Sequence, residues 1–126
     1  MKWKGTFEFY LWPQSFYHLY PNAITEDGIQ HVLNMMVGDE NRPFDTIVIS
    51  NEDGTETASK VIVPEVLSGR LRSTVMFDHT EGNCPIAEVQ MWADTVLIAE
   101  TEVNIVKTDK QSLTIVRTDK LEGDTA

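Results

Sequence analysis

Cysteine is nearly missing from this chain: Cys84 is the single one in 126 residues. No intrachain disulfide can form, and a reducing compartment of synthesis is the expectation. Basic charge is scarce too, with 10 Lys and Arg against 20 Asp and Glu and a formal net charge of −10. Nucleic-acid binding needs the opposite sign to displace counterions from phosphates, and anionic membrane surfaces are disfavoured for the same reason. Long apolar runs are missing: nothing approaches the roughly 20 residues that span a bilayer. The opening MKWKGTFEFYLW is interrupted by Lys2, Lys4 and Glu8 and does not read as a secretory signal. No glycine-rich loop precedes a Lys-Ser/Thr pair or opens a helix, so no phosphate cradle is present. A soluble protein made in a cytoplasm is expected, with a self-repelling acidic surface.

Aromatic residues are few after residue 21 and crowded before it. The chain holds eleven Phe, Trp and Tyr; only Phe44, Phe77 and Trp92 lie beyond Tyr20. The length suits one domain, because two separate cores would each be too small to be stable. Residues 1–21 read as an aromatic strand and loop, 22–118 as the core of the domain, and 119–126 as a frayed tail.

Period-two alternation over residues 3–11, with Trp3, Phe7, Phe9 and Leu11 on one parity, predicts a half-buried strand. Pro13 ends ladder donation, and residues 13–22 read as a loop. In NAITEDGIQHVLNMMVGDE the apolar residues Ile29, Val32, Leu33 and Met36 recur at helical spacing. Thr25 fits the N-cap, with Glu26 and Asp27 favourable to the helix dipole. Gly38 fits the left-handed closing position. The helix is predicted over 26–37, with its stripe packed on the rest of the domain and His31 on the outer face.

Beyond the helix the pattern is β. Strands are predicted at 44–50, 70–77, 86–92 and 95–103, with 61–66 as an edge segment because Pro64 is excluded from a central strand. The echo IVKTDK at 105–110 and IVRTDK at 115–120 reads as a late hairpin. One helix and about seven strands make the expected fold class α+β, a helix laid on an antiparallel sandwich.

Candidate chemistry is sparse. The Asp53-Gly54 step suggests a calcium loop, but Ile49 stands where an acidic ligand is required. Asp78, His79, Glu81 and Cys84 are metal-ligand types, yet their spacing matches no established pattern, and a solvated loop is the better reading. Cys84 lacks a local His partner and reads as a small buried hydrophobe. Carboxylates are plentiful, but no pair is held in an apolar surround that would separate their proton affinities. No catalytic, cofactor-binding or metal-binding residue is assigned, and an enzyme is not expected. Core packing accounts for Trp3, Phe7 and Phe9. Trp12, Phe16, Tyr17 and Tyr20 flank Pro13 on both parities and are assigned to a protein docking surface, since Tyr and Trp are favoured at interfaces. A stacking platform for sugars, in a carbohydrate-binding module recognising a host glycan, is the alternative.

Three stretches together carry a family resemblance. The first is Asn22-Ala23-Ile24-Thr25 with Gly28-Ile29, opening the helix. The second is Thr46-Ile47-Val48-Ile49, running into the Asn51–Gly54 turn. The third is Ile86-Ala87-Glu88-Val89, followed by Asp94 and Thr95-Val96-Leu97-Ile98-Ala99. Their order and spacing over residues 22–118 resemble the virion-proximal domain of bacteriophage tail-fibre, collar and baseplate-associated proteins. Gln90-Met91 stands where that family usually has Gly-Leu, and IVISNEDG lacks the family's glycines. The resemblance implies a structural protein that assembles into trimers or rings and contacts other tail or neck proteins, located in the virion after assembly in the host cytoplasm. With no fibrous shaft after residue 118, it implies a free-standing adaptor or collar subunit. It supplies no catalytic residue.

Overall fold

The computed structural model describes residues 2–13, 16–21 and 23–122. Ten strands and one helix form two five-stranded sheets that face each other, so the α+β sandwich class holds. Chain order is β1 (Lys2–Trp12), β2 (Phe16–Pro21), β3 (Ala23–Ile24), α1 (Glu26–Met36), β4 (Thr46–Ser50), β5 (Glu56–Val61), β6 (Glu65–Leu67), β7 (Arg70–Phe77), β8 (Pro85–Ala93), β9 (Val96–Val106) and β10 (Ser112–Glu122). The first sheet runs β2-β1-β10-β7-β6 and the second β3-β9-β8-β4-β5. Every strand pair is antiparallel.

Alternation builds the core. Phe7, Phe9, Phe77, Leu113 and Ile115 from the first sheet meet Ile47, Ile49, Val89, Met91 and Ile105 from the second, all essentially removed from water. The β6–β7 turn places Ser68 and Gly69 at φ of 50° and 77°. Two consecutive left-handed residues match the strand twist and fix this hairpin's register.

Four expectations are corrected. Residues 13–22 are not all loop: Phe16–Pro21 pairs with Thr6–Leu11 as an edge strand. An edge strand tolerates Pro21, because one of its sides is unpaired in the sheet. The two halves of the IVKTDK/IVRTDK echo do not form a hairpin, because β9 lies in the second sheet and β10 in the first. Of the tail expected over 119–126, residues 119–122 continue β10, with Gly5↔Asp119 and Lys2↔Glu122 in register, while 123–126 lie outside the described residues. The helix also turns its other face inward, as described below. The 61–66 segment does sit at edges. Val61 ends β5, Glu65 opens β6, and Pro64 lies where the chain passes from one sheet's edge to the other's.

Candidate docking surfaces

Thr25 caps α1 as its sequence position predicts: its Oγ1 accepts from Gly28 N at 2.8 Å and donates to the Leu97 carbonyl at 2.6 Å. This second bond joins the helix start to β9, and the Thr25 N–H donates to the Ile98 carbonyl at 3.0 Å. Gly28 then faces β9 directly. A Cβ there would fall under 3.0 Å from the Ile98 carbonyl oxygen. The glycine therefore sets how closely helix and strand approach.

His31, one turn further on, is buried. Its Nε2 donates to the Arg42 carbonyl at 2.8 Å, and its Nδ1 lies 3.6 Å from the Glu40 carboxylate. The buried residues of α1 are thus Gly28 and His31; of the apolar stripe, Val32 packs partly buried against the core, while Ile29, Leu33 and Met36 do not. Hydrogen bonds across β9 and to the 40–42 loop fix the helix's rotation, and periodicity carries no information about them. Glu40 and Arg42 pair at 2.9 Å, and Arg42 reaches Asp94 at 3.3 Å. Hydrogen bonds from the Arg42 side chain hold the Glu40 carboxyl down at about 2, and the Glu40 carboxylate in turn raises the guanidinium's proton affinity.

The consequence is an uncovered stripe. Ile29, Leu33 and Met36 remain 45%, 51% and 59% exposed. With Trp3, Ile24 and Leu121 they line a groove of about 510 Å³ between the helix and the paired ends of β1 and β10. Trp3 is fixed in its wall by stacking on Phe44 at 6.2 Å and by donating from Nε1 to Asp119 Oδ1 at 2.9 Å. Sequence analysis found this stripe and assigned it to the core. Its amphipathic spacing was the signal for the surface as well.

The four aromatic residues assigned to docking separate. Trp12 is 63% exposed at the end of β1. Tyr20 packs against the core and meets Phe9 edge-on at 5.4 Å, with His18 stacked on it at 5.7 Å. The backbones of Phe16 and Tyr17 pair with Leu11 and Tyr10; their side chains lie outside the described residues.

The 78–84 loop is organised by a lysine that sequence analysis passed over. Lys107 is buried and donates from Nζ to the Asp78 carbonyl and to Asn83 Oδ1, both at 2.6 Å. Burial pushes its proton affinity down. Glu81 pairs with Lys60 at 2.6 Å, and Cys84 is half-buried with Sγ 3.5 Å from Thr57 Oγ1. Among the described residues no three His, Cys, Asp or Glu side chains converge to hold a metal ion.

A second buried polar group lies between the sheets. Arg117 donates to Asp119 Oδ1 from Nε at 3.1 Å and from Nη2 at 2.7 Å, and its guanidinium lies 4.6 Å over the Phe7 ring. Gly5 leaves room for it: a Cβ there would overlap the guanidinium. The pair supports Trp3, and through it the wall of the groove.

The outward faces of the sheets differ in charge. On the first sheet Lys4, Lys120 and Arg70 are direct cross-strand neighbours, with Lys2 and Arg72 nearby. Glu122 bridges Lys4 at 3.2 Å and Lys120 at 3.4 Å. On the second sheet Glu88 opposes Glu102, and Glu100 opposes Gln90 in the adjacent register position. Burial, then the Glu100 and Glu102 charges, raises the Glu88 carboxyl above its ordinary range. Trp92 donates to Gln90 Oε1 at 3.2 Å, and Gln90 donates to Glu88 Oε1 at 2.7 Å.

The fold and these surfaces define a two-sheet antiparallel sandwich with an edge helix and uncovered apolar ground. Comparison with family models, with curated proteins and with solved structures gives no match for this chain.

Proposed function

We propose that this chain is a non-enzymatic structural virion subunit, an oligomerising adaptor or collar of a phage tail or neck that bridges neighbouring proteins. The observation that carries the reading is the uncovered stripe of α1 with its groove. A monomer gains nothing from leaving Ile29, Leu33 and Met36 half in water, whereas burying an apolar side chain fully is worth about 1.5–3 kcal/mol. Large apolar surface rimmed by polar residues marks sites of protein contact. The motif resemblance at residues 22–29, 46–54 and 86–99 supplies the class of neighbour, and the acidic remainder keeps unassembled subunits apart. Trp12 adds a second exposed anchor of the type that dominates interfaces.

Two measurements test it. An antibody raised against this chain should label the tail or neck of purified particles from the source culture; particles that carry no label refute the assignment. Leu33→Asp should leave the thermal unfolding of the isolated chain nearly unchanged while removing the chain from assembled particles. If the variant is incorporated normally, the groove is not the docking site.

A further inference from the structure

The outward face of the first sheet carries a row of cations, and that of the second a row of carboxylates. On the first sheet, Lys4, Lys120 and Arg70 occupy one cross-strand row, and Arg72 lies on the adjacent row opposite Glu65. Three rows along the same face come Tyr10 and Met76, both exposed, flanking Thr114. Six residues separate the charged from the apolar row, about 20 Å along the strands. On the second sheet, Glu88 and Glu102 share a row, with Glu100 on the next. Two rows from Glu88 comes Trp92, beside Thr46, whose other neighbour is the exposed Val61. That separation is about 13 Å. The outward-alternating side chains of β4, β8 and β9 include no cation.

Each row is unfavourable in the isolated chain. Like charges placed directly opposite on neighbouring strands destabilise a sheet. Glu122 offsets part of the repulsion on the first sheet through its bonds to Lys4 and Lys120. On the second sheet the Gln90 amide donates to Glu88 Oε1 at 2.7 Å, yet the Glu88 carboxyl is still raised by burial and by its acidic neighbours. A basic patch is also unexpected in a chain of net charge −10. Bringing the basic row against the acidic row relieves both repulsions.

We infer that the outer face of the first sheet docks on the outer face of the second sheet of another copy of this chain, basic row against acidic row. The contact is heterologous, because the two faces differ, so each subunit keeps one free face of each sign. Such a contact closes into a ring or continues as a stack. The inference rests on the reading that the chain assembles, but it uses faces distinct from the helix groove.

The test is association in solution, followed by sedimentation velocity with purified full-length chain. The unaltered chain should associate at low salt and dissociate as salt approaches about 1 M, where the screening length falls to about 3 Å. Lys4→Glu with Arg70→Glu, and separately Glu88→Lys with Glu102→Lys, should each weaken association more than about tenfold. An equimolar mixture of the two variants should associate again, since each then offers the sign that the other lacks. All four positions face outward, and unchanged circular dichroism confirms folding. Leu33→Asp, which spoils the groove, should associate as the unaltered chain does; loss of association there would assign self-contact to the groove and overturn the inference. A chain that stays monomeric at low salt, an assembly indifferent to salt, or a mixture that does not recover would each overturn it as well.

Discussion

Replacing Asp119 by Ala removes the carboxylate from a guanidinium that has no exposure to solvent. Arg117 loses bonds at 3.1 and 2.7 Å and Trp3 loses one at 2.9 Å. The Phe7 ring remains beneath the guanidinium but carries no countercharge. Breaking a buried ion pair from one side costs about 3–5 kcal/mol, because the surviving charge stays out of water. For a chain of this length that corresponds to a fall in melting temperature of roughly 10–20 °C, at roughly 3–5 °C per kcal/mol. Urea unfolding followed by Trp fluorescence gives the free energy directly, and circular dichroism gives the midpoint. Replacing both partners, as Arg117→Met with Asp119→Leu, should recover most of the loss, since an apolar pair of similar volume is often as stable as a buried ion pair. If Asp119→Ala costs less than about 1 kcal/mol, or if the double variant is worse than the single one, the stranded-charge argument is wrong.

Two further outcomes follow from the same structure. Gly28→Ala should destabilise the chain by about 1–3 kcal/mol through the clash with the Ile98 carbonyl, although Ala is intrinsically the better helix former by about 1 kcal/mol; a stabilised variant in urea unfolding would show that the helix does not press on β9. Glu40 is held at about 2 against an ordinary 4.5, so its contribution to stability is present above about pH 4.5 and is lost as pH falls toward 2. Glu40→Gln should therefore flatten the fall in urea midpoint across that window, modestly and less so in high salt because the pair is still partly open to solvent; identical acid limbs for the two proteins would refute the assignment.

Most of the strands were legible because alternation of apolar and polar side chains is a property of neighbouring residues. Arg70–Phe77 was read at its observed bounds, and the Thr25 cap and the Gly38 turn at φ 83° followed from side-chain and backbone chemistry within a few positions. Edge strands were harder. Phe16–Pro21 and Glu65–Leu67 are short and broken by proline or exposed side chains, so nothing local separates them from loop. Of the four aromatic positions assigned to docking, Trp12 is exposed, whereas Tyr20 is taken up by packing on Phe9.

By itself the sequence determined the class: which segments extend, where the helix begins and ends, and the net charge of −10. These follow from local periodicity and side-chain type. Tertiary structure alone decided the helix's rotation, the separation of β9 and β10 into different sheets, and the burial of Lys107 and Arg117. It also set Lys4, Lys120 and Arg70 in one cross-strand row and Glu88 beside Glu102 in another. Each of those depends on residues far apart in the chain meeting through hydrogen bonds or packing, such as Thr25 with Leu97 or Lys107 with Asp78, and no local pattern encodes such pairs.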